Sequence, residues 1–170
     1  MSGALRALAV IGIALFACSA DPLPGFRPAS ADERAALLQI VVAYYDLLDK
    51  AIVSGDIAPL YQRHPALAQG SDQQRGINAE GGTLQLPSVR ERRVREALVE
   101  IQSYEPFRAF LNDEKAVAYS HGLLTWTYAN GSQTKGELMV RFDLQRDGTR
   151  WTIVRTDERV LGETPAPTPR

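Results

Sequence analysis

The sequence predicts an α+β domain, and three observations predict it. The last third of the chain, Ala116 to Val160, alternates apolar and polar residues and is cut by Asn130-Gly131 and Asp147-Gly148. Asn-Gly and Asp-Gly are strong hairpin signals, because a type I′ turn needs positive φ at both central residues. Its middle segment places Leu138, Val140, Phe142 and Leu144 on one face and Glu137, Met139, Arg141, Asp143 and Gln145 on the other. That is the period of a sheet with one covered and one wet face. Upstream, Leu37, Val41, Tyr44, Leu48 and Ile52 recur at helical spacing, so a long helix precedes the sheet.

Composition sets the bounds. A chain of 170 residues, 45% hydrophobic and 23% charged, is enough for one domain with a core. Its net charge of −1 and pI of about 6.1 give no global field toward nucleic acid, and none is expected as a partner. Arg90, Arg92, Arg93 and Arg95 are interleaved with Glu91 and Glu96, as on a solvated helix face. Cys18 is the single cysteine, which excludes an intramolecular disulfide or a cysteine-built metal site. His64 and His121 stand in no zinc-site spacing, so no metal and no cofactor are expected.

The opening residues read as an address. Met1 to Arg6 carries one positive charge, and Ala7 to Phe16 is an apolar run of signal-peptide length. Leu15-Phe16-Ala17-Cys18 resembles the bacterial lipobox, which implies cleavage before Cys18 and lipid on that residue. Residues 1–17 are then a signal peptide. Ser19 follows the cysteine where many lipoproteins kept at the inner membrane carry Asp, so the expected location is the outer membrane, facing the periplasm. The alternatives are cleavage after Ala20, which gives a soluble periplasmic or secreted protein, and an uncleaved anchor. Pro22, Pro24, Gly25 and Pro28 make residues 18–29 a semi-rigid tether. Residues 162–170 read as a Pro-rich disordered tail, leaving 30–161 as the folded domain.

Within that domain, Ser30-Ala31-Asp32-Glu33 fits a capping box for the long helix, which ends at Ser54-Gly55-Asp56. A short helix follows from Ile57 to Arg63, and Pro65 opens another helical turn. His64, with Tyr61 one helical turn earlier, is read as a helix C-terminal residue interacting with the dipole rather than as a ligand contact. Gln69 to Leu86 is a glycine-rich loop of the kind that forms lids and rims. A second capping box at Ser88 to Glu91, with Val94, Leu98 and Ile101, predicts a third helix ending near Ser103. Pro106 to Leu111 reads as a short strand, and Asn112 to Lys115 as the turn into the main sheet.

This order is similar to that of the nuclear transport factor 2-like (SnoaL-like, ketosteroid isomerase-like) superfamily. The resemblance rests on Val41-Val42-Ala43-Tyr44-Tyr45-Asp46-Leu47-Leu48 running to Ser54-Gly55-Asp56, on Tyr104-Glu105-Pro106-Phe107, and on Arg146-Asp147-Gly148-Thr149-Arg150-Trp151-Thr152-Ile153-Val154. It implies a cone-shaped α+β barrel, a bent, mostly antiparallel sheet wrapped around the long helix with two to three shorter helices. Members include isomerases, dehydratases and non-catalytic modules, so the fold leaves function open.

If both turns are tight two-residue loops, Tyr119, His121, Arg155 and Asp157 share the apolar face with Phe142. With Tyr44 from the helix they form a candidate site for a small amphipathic ligand. Under the same register Trp126, Tyr128 and Met139 fall on the opposite face, which makes them a candidate interface for a homodimer or an envelope partner. Asp157 is the weak catalytic candidate, an isomerase- or dehydratase-like base, although Arg155 beside it makes it a poorer one. The leading expectation is an exported, lipid-anchored envelope protein with a non-catalytic binding or assembly domain. A periplasmic small-molecule binder using the cone, and an enzyme using Asp157, are the alternatives.

Overall fold

The structure, a computed structural model, describes residues 24–68, 94–101 and 107–164, with side chains through Glu158. The lipobox with Cys18, the loop from Gln69 to Leu86, the second capping box, residues 102–106 and residues 165–170 lie outside the described residues. The elements run β1 (Arg27–Pro28), α1 (Ala31–Ser54), α2 (Ala58–Arg63), β2 (Val94–Ile101), β3 (Arg108–Leu111), β4 (Lys115–Tyr128), β5 (Gln133–Asp147) and β6 (Arg150–Thr164). The fold is α+β, a long helix against an antiparallel sheet.

The chemistry at its ends explains where α1 starts and stops. Ser30 Oγ accepts from Glu33 N at 3.3 Å while Ser30 N donates to Glu33 Oε2 at 2.9 Å, closing the predicted capping box. Arg27 grips the same carboxylate with both terminal nitrogens, at 2.8 and 2.7 Å. These donors hold the Glu33 carboxyl down at about 2, the Arg27 hydrogen bond contributing most. At the other end Gly55 takes a left-handed conformation (φ 76°) and donates to Ala51 O at 2.7 Å. Asp56 Oδ1 then accepts from Ala58 N at 2.9 Å and starts α2. One further helical turn covers residues 65–68.

The sheet runs β1-β3-β4-β5-β6, with β2 also on β4. β4 therefore shares one edge between two strands. β3 takes residues 116–119 and β2 takes residues 122–128. At the junction Gly122 faces inward, where a Cβ would meet Val99 Cγ1 and Glu100 O, each at 3.0 Å. Only glycine lets the strands approach that closely.

β2 corrects the expected third helix. Val94, Leu98 and Ile101 have helical spacing, but Ala97, Val99 and Ile101 also alternate, and pairing with β4 turns those three toward the core. Leu98 is left 46% exposed. Pairing to an open strand edge outweighs a short apolar period. At the sheet's far side, β6 continues to Thr164 opposite Lys135, so residues 162–164 of the expected tail are strand.

The core lies between α1 and the sheet. Leu37, Val41, Tyr44, Tyr45, Leu48 and Ile52 meet Ala118, Leu124, Trp126, Leu138, Val140, Phe142 and Ile153 in one contiguous cluster. Even-numbered residues of β4 and β5 thus point inward, and odd-numbered ones outward.

Candidate functional site

The register decides which face each chemical group occupies. Tyr128 N donates to Ser132 O and Gly131 N donates to Tyr128 O, both at 2.9 Å. The first hairpin therefore has a loop of three residues, Ala129-Asn130-Gly131, with Gly131 at φ 81°. That single extra residue pairs Leu138 with Gly122 rather than with Leu123. The second hairpin closes Asp147 on Arg150 around Gly148-Thr149. A bulge follows, because Leu144 pairs Ile153 but Asp143 pairs Arg155, leaving Val154 as the extra residue.

These two shifts correct the expected faces. Tyr119 and His121 point outward, opposite Arg141 and Met139. Arg155 and Asp157 also stand exposed on the outward side, opposite Asp143 and Arg141. Asp157 therefore lacks the apolar pocket a carboxylate base would need. Tyr44 is parted from all four, 1% exposed in the core and edge-on to Phe142 at 5.2 Å. Trp126 and Tyr128 are the reverse case. Expected on the outward face, each is 1% exposed on the inward one. Of the three interface candidates only Met139 lies outward, 39% exposed.

The inward face carries its own polar groups. Tyr45 Oη and Ser120 Oγ are 2.7 Å apart in the core, and burial pushes the phenol up, so it stays neutral. Asp49, on the next turn of α1, accepts from Val99 N at 3.3 Å through Oδ2. Its buried Oδ1 has no partner among the described residues, and desolvation raises the acid to about 6. His64 is buried, with Nδ1 accepting from Ile153 N at 3.1 Å. It stands at the C-cap of α2, the helix end expected for it, and burial lowers it to about 4, so the ring is neutral at neutral pH. It is a neutral pin between α2 and β6.

The outward face is a charge lattice. Arg141 Nε donates to Asp143 Oδ1 at 2.9 Å, and the facing pairs Arg141–Asp157 and Asp143–Arg155 alternate in sign across β5 and β6. Arg108 lies over the Tyr119 ring at 5.6 Å, and His121 Nε2 is 3.5 Å from Glu137 Oε2. At one end of this lattice a pocket of about 400 Å³ opens between Phe26 and the strands, floored by Val117 and Val154 and edged by Lys115, Arg141, Asp143 and Gln145.

Among the described residues no group of three or more His, Cys, Asp or Glu could hold a metal ion. No described helix is long and apolar enough to cross a membrane. Comparison with family models, with curated proteins and with solved structures gives no match. Several of these groups escaped sequence reasoning. Asp49 and Tyr45 sat within the helical stripe and its flank, Lys115 within a turn, and Phe26 within a tether. Only the partner strands distinguish them.

Proposed function

We propose that the chain is an exported protein, lipidated at Cys18 and held at the outer membrane facing the periplasm. There its domain acts as a non-catalytic binding or assembly module whose working surface is the outward face of the sheet. One observation carries this reading: the space between α1 and the sheet is occupied by a contiguous core of buried side chains, Phe142 and Ile153 at 0% exposure among them. A filled interior is a scaffold. The groups left for recognition are then those outside, Tyr119, Arg141, Arg155 and Asp157. The cone-shaped, nuclear transport factor 2-like form belongs to the same proposal. It is supported by the long helix packed along one sheet face and by the close approach at Gly122, where β2 and β3 divide the edge of β4.

Two experiments test the address and the surface. Growth with an alkyne fatty acid should label the full chain, and Cys18→Ser should abolish the label and release the protein from the membrane fraction. An unlabelled chain cut after Ala20 would contradict the address. A photo-crosslinker at Arg155 should capture a neighbouring protein or a second copy in the intact envelope, whereas one at Val53, exposed on α1, should not. Capture from Val53 alone would move the working surface to the helix.

A further inference from the structure

We propose that the outward-face pocket is a binding site for a small amphipathic carboxylate, held with its apolar part against Phe26, Val117 and Val154 and its charge toward Lys115 and Arg141. The inference rests on the reading of that face as the working surface and gives it a ligand.

Volume is the first argument. At about 400 Å³ the pocket sits within the roughly 300–1,000 Å³ range of small-molecule sites, at the small end. Its floor is the second. Val117 lies on the outward face and outside the main core cluster yet is only 3% exposed, so an apolar side chain packs there beneath its neighbours amid charges. The bulge supplies the rest of that floor, since Val154 is the residue that pairing with β5 leaves over. Bulges re-aim side chains next to binding sites.

The rim decides the ligand's charge. Two cations and one carboxylate edge the pocket, a surplus of one positive charge. Asp143 takes only the Nε proton of Arg141, and a guanidinium has five donors, so its terminal nitrogens stay available. The Lys115 ammonium has no partner among the described residues, and the facing residue of its backbone is the neutral Gln145. Across the strand pair Arg155 faces Asp143 and Asp157 faces Arg141, so these two neighbours cancel and the surplus of the rim is the Lys115 charge. An anion gains from this rim, and a cation meets repulsion from Lys115 and Arg141.

The outer wall is preorganised. Phe26 precedes Arg27, which is fixed by its two bonds to Glu33 and by the pairing of β1 with β3. Ala29 N adds a bond to Ala109 O at 2.9 Å. A wall already held in place adds little ordering cost to binding.

The test is calorimetric titration of the full chain in zwitterionic nanodiscs, against empty nanodiscs, with octanoate and with octylamine. Octanoate should bind saturably and octylamine should not. Lys115→Gln and Phe26→Ala should each weaken octanoate at least about tenfold. Lys135→Gln, at the far end of the same face, should leave the affinity unchanged. Lys115→Gln alters an exposed side chain, so its effect is separable from misfolding. Absence of saturable octanoate heat, equal binding of octylamine, or full affinity in Lys115→Gln would each overturn the proposal. Crosslinking from Arg155 surviving such a failure would leave the working surface standing and remove only the ligand.

Discussion

The two faces of the same sheet are built from alternate residues of the same strands, yet they obey different rules. Inward, Ala118, Leu138, Val140, Phe142 and Ile153 pack on α1 with almost no exposure. Outward, Arg141, Asp143, Arg155 and Asp157 alternate in sign and remain accessible. Apolar and charged residues already alternate along β5. One additional loop residue before it and one bulge in β6 decide which residues of the neighbouring strands join each face, because side chains in a strand alternate and a one-residue slip exchanges the sets. The difference teaches that here the turns, more than the strands, choose which chemistry meets solvent.

The sharpest way to break this comparison is to truncate one residue on each face. Phe142→Ala should cost about 3–5 kcal/mol in urea unfolding, from lost burial and the cavity left behind. Arg155→Ala should change stability by less than about 0.5 kcal/mol. Comparable costs would mean that the faces are misassigned. Next in size is Gly122→Ala. Its methyl group would press on Val99 and on the Glu100 carbonyl, each 3.0 Å away, for a loss of roughly 1–3 kcal/mol by the same measurement.

The buried titrating groups sharpen the inward side further. His64 is lowered from 6.5 to about 4, so its contribution is complete above pH 6.5 and is lost as pH falls toward 4. Asp49 is raised from 3.8 to about 6, so its contribution is present below 3.8 and is lost as pH rises through 6. Asp49→Asn keeps an acceptor for Val99 N–H and removes the buried charge. Above pH 6 it should stabilise the protein by on the order of 1 kcal/mol, screening by solvent included, with the gain fading toward pH 4 in thermal melts. A loss of similar size belongs to the first turn. Gly131→Ala places a side chain at φ 81° and should cost about 1 kcal/mol without changing which face is buried.

Much of the fold was legible in the sequence. The Ser30–Glu33 capping box and the Gly55 stop appear where local chemistry put them, because each depends on residues within a few positions. The strand from Arg108 to Leu111 and the meander of β4, β5 and β6 also follow from local alternation and turn residues. β2 was not legible, since Val94, Leu98 and Ile101 fit a helix as well as a strand and only the open edge of β4 decides. The candidate site suffered most. Asn130-Gly131 supports both a two-residue and a three-residue loop, and that ambiguity moved Tyr119, His121, Trp126 and Tyr128 to the wrong faces. The bulge at Val154 did the same to Arg155 and Asp157 and has no marker in the residues themselves.

The central claim is that the first hairpin loop turns Trp126 into the core, and tryptophan fluorescence tests it most directly. The chain has two tryptophans, so Trp151→Phe leaves Trp126 as the sole emitter. At 1% exposure it should emit at short wavelength and resist acrylamide quenching until the protein unfolds. Red-shifted, freely quenched emission from the folded variant would place Trp126 on the outward face and contradict the account.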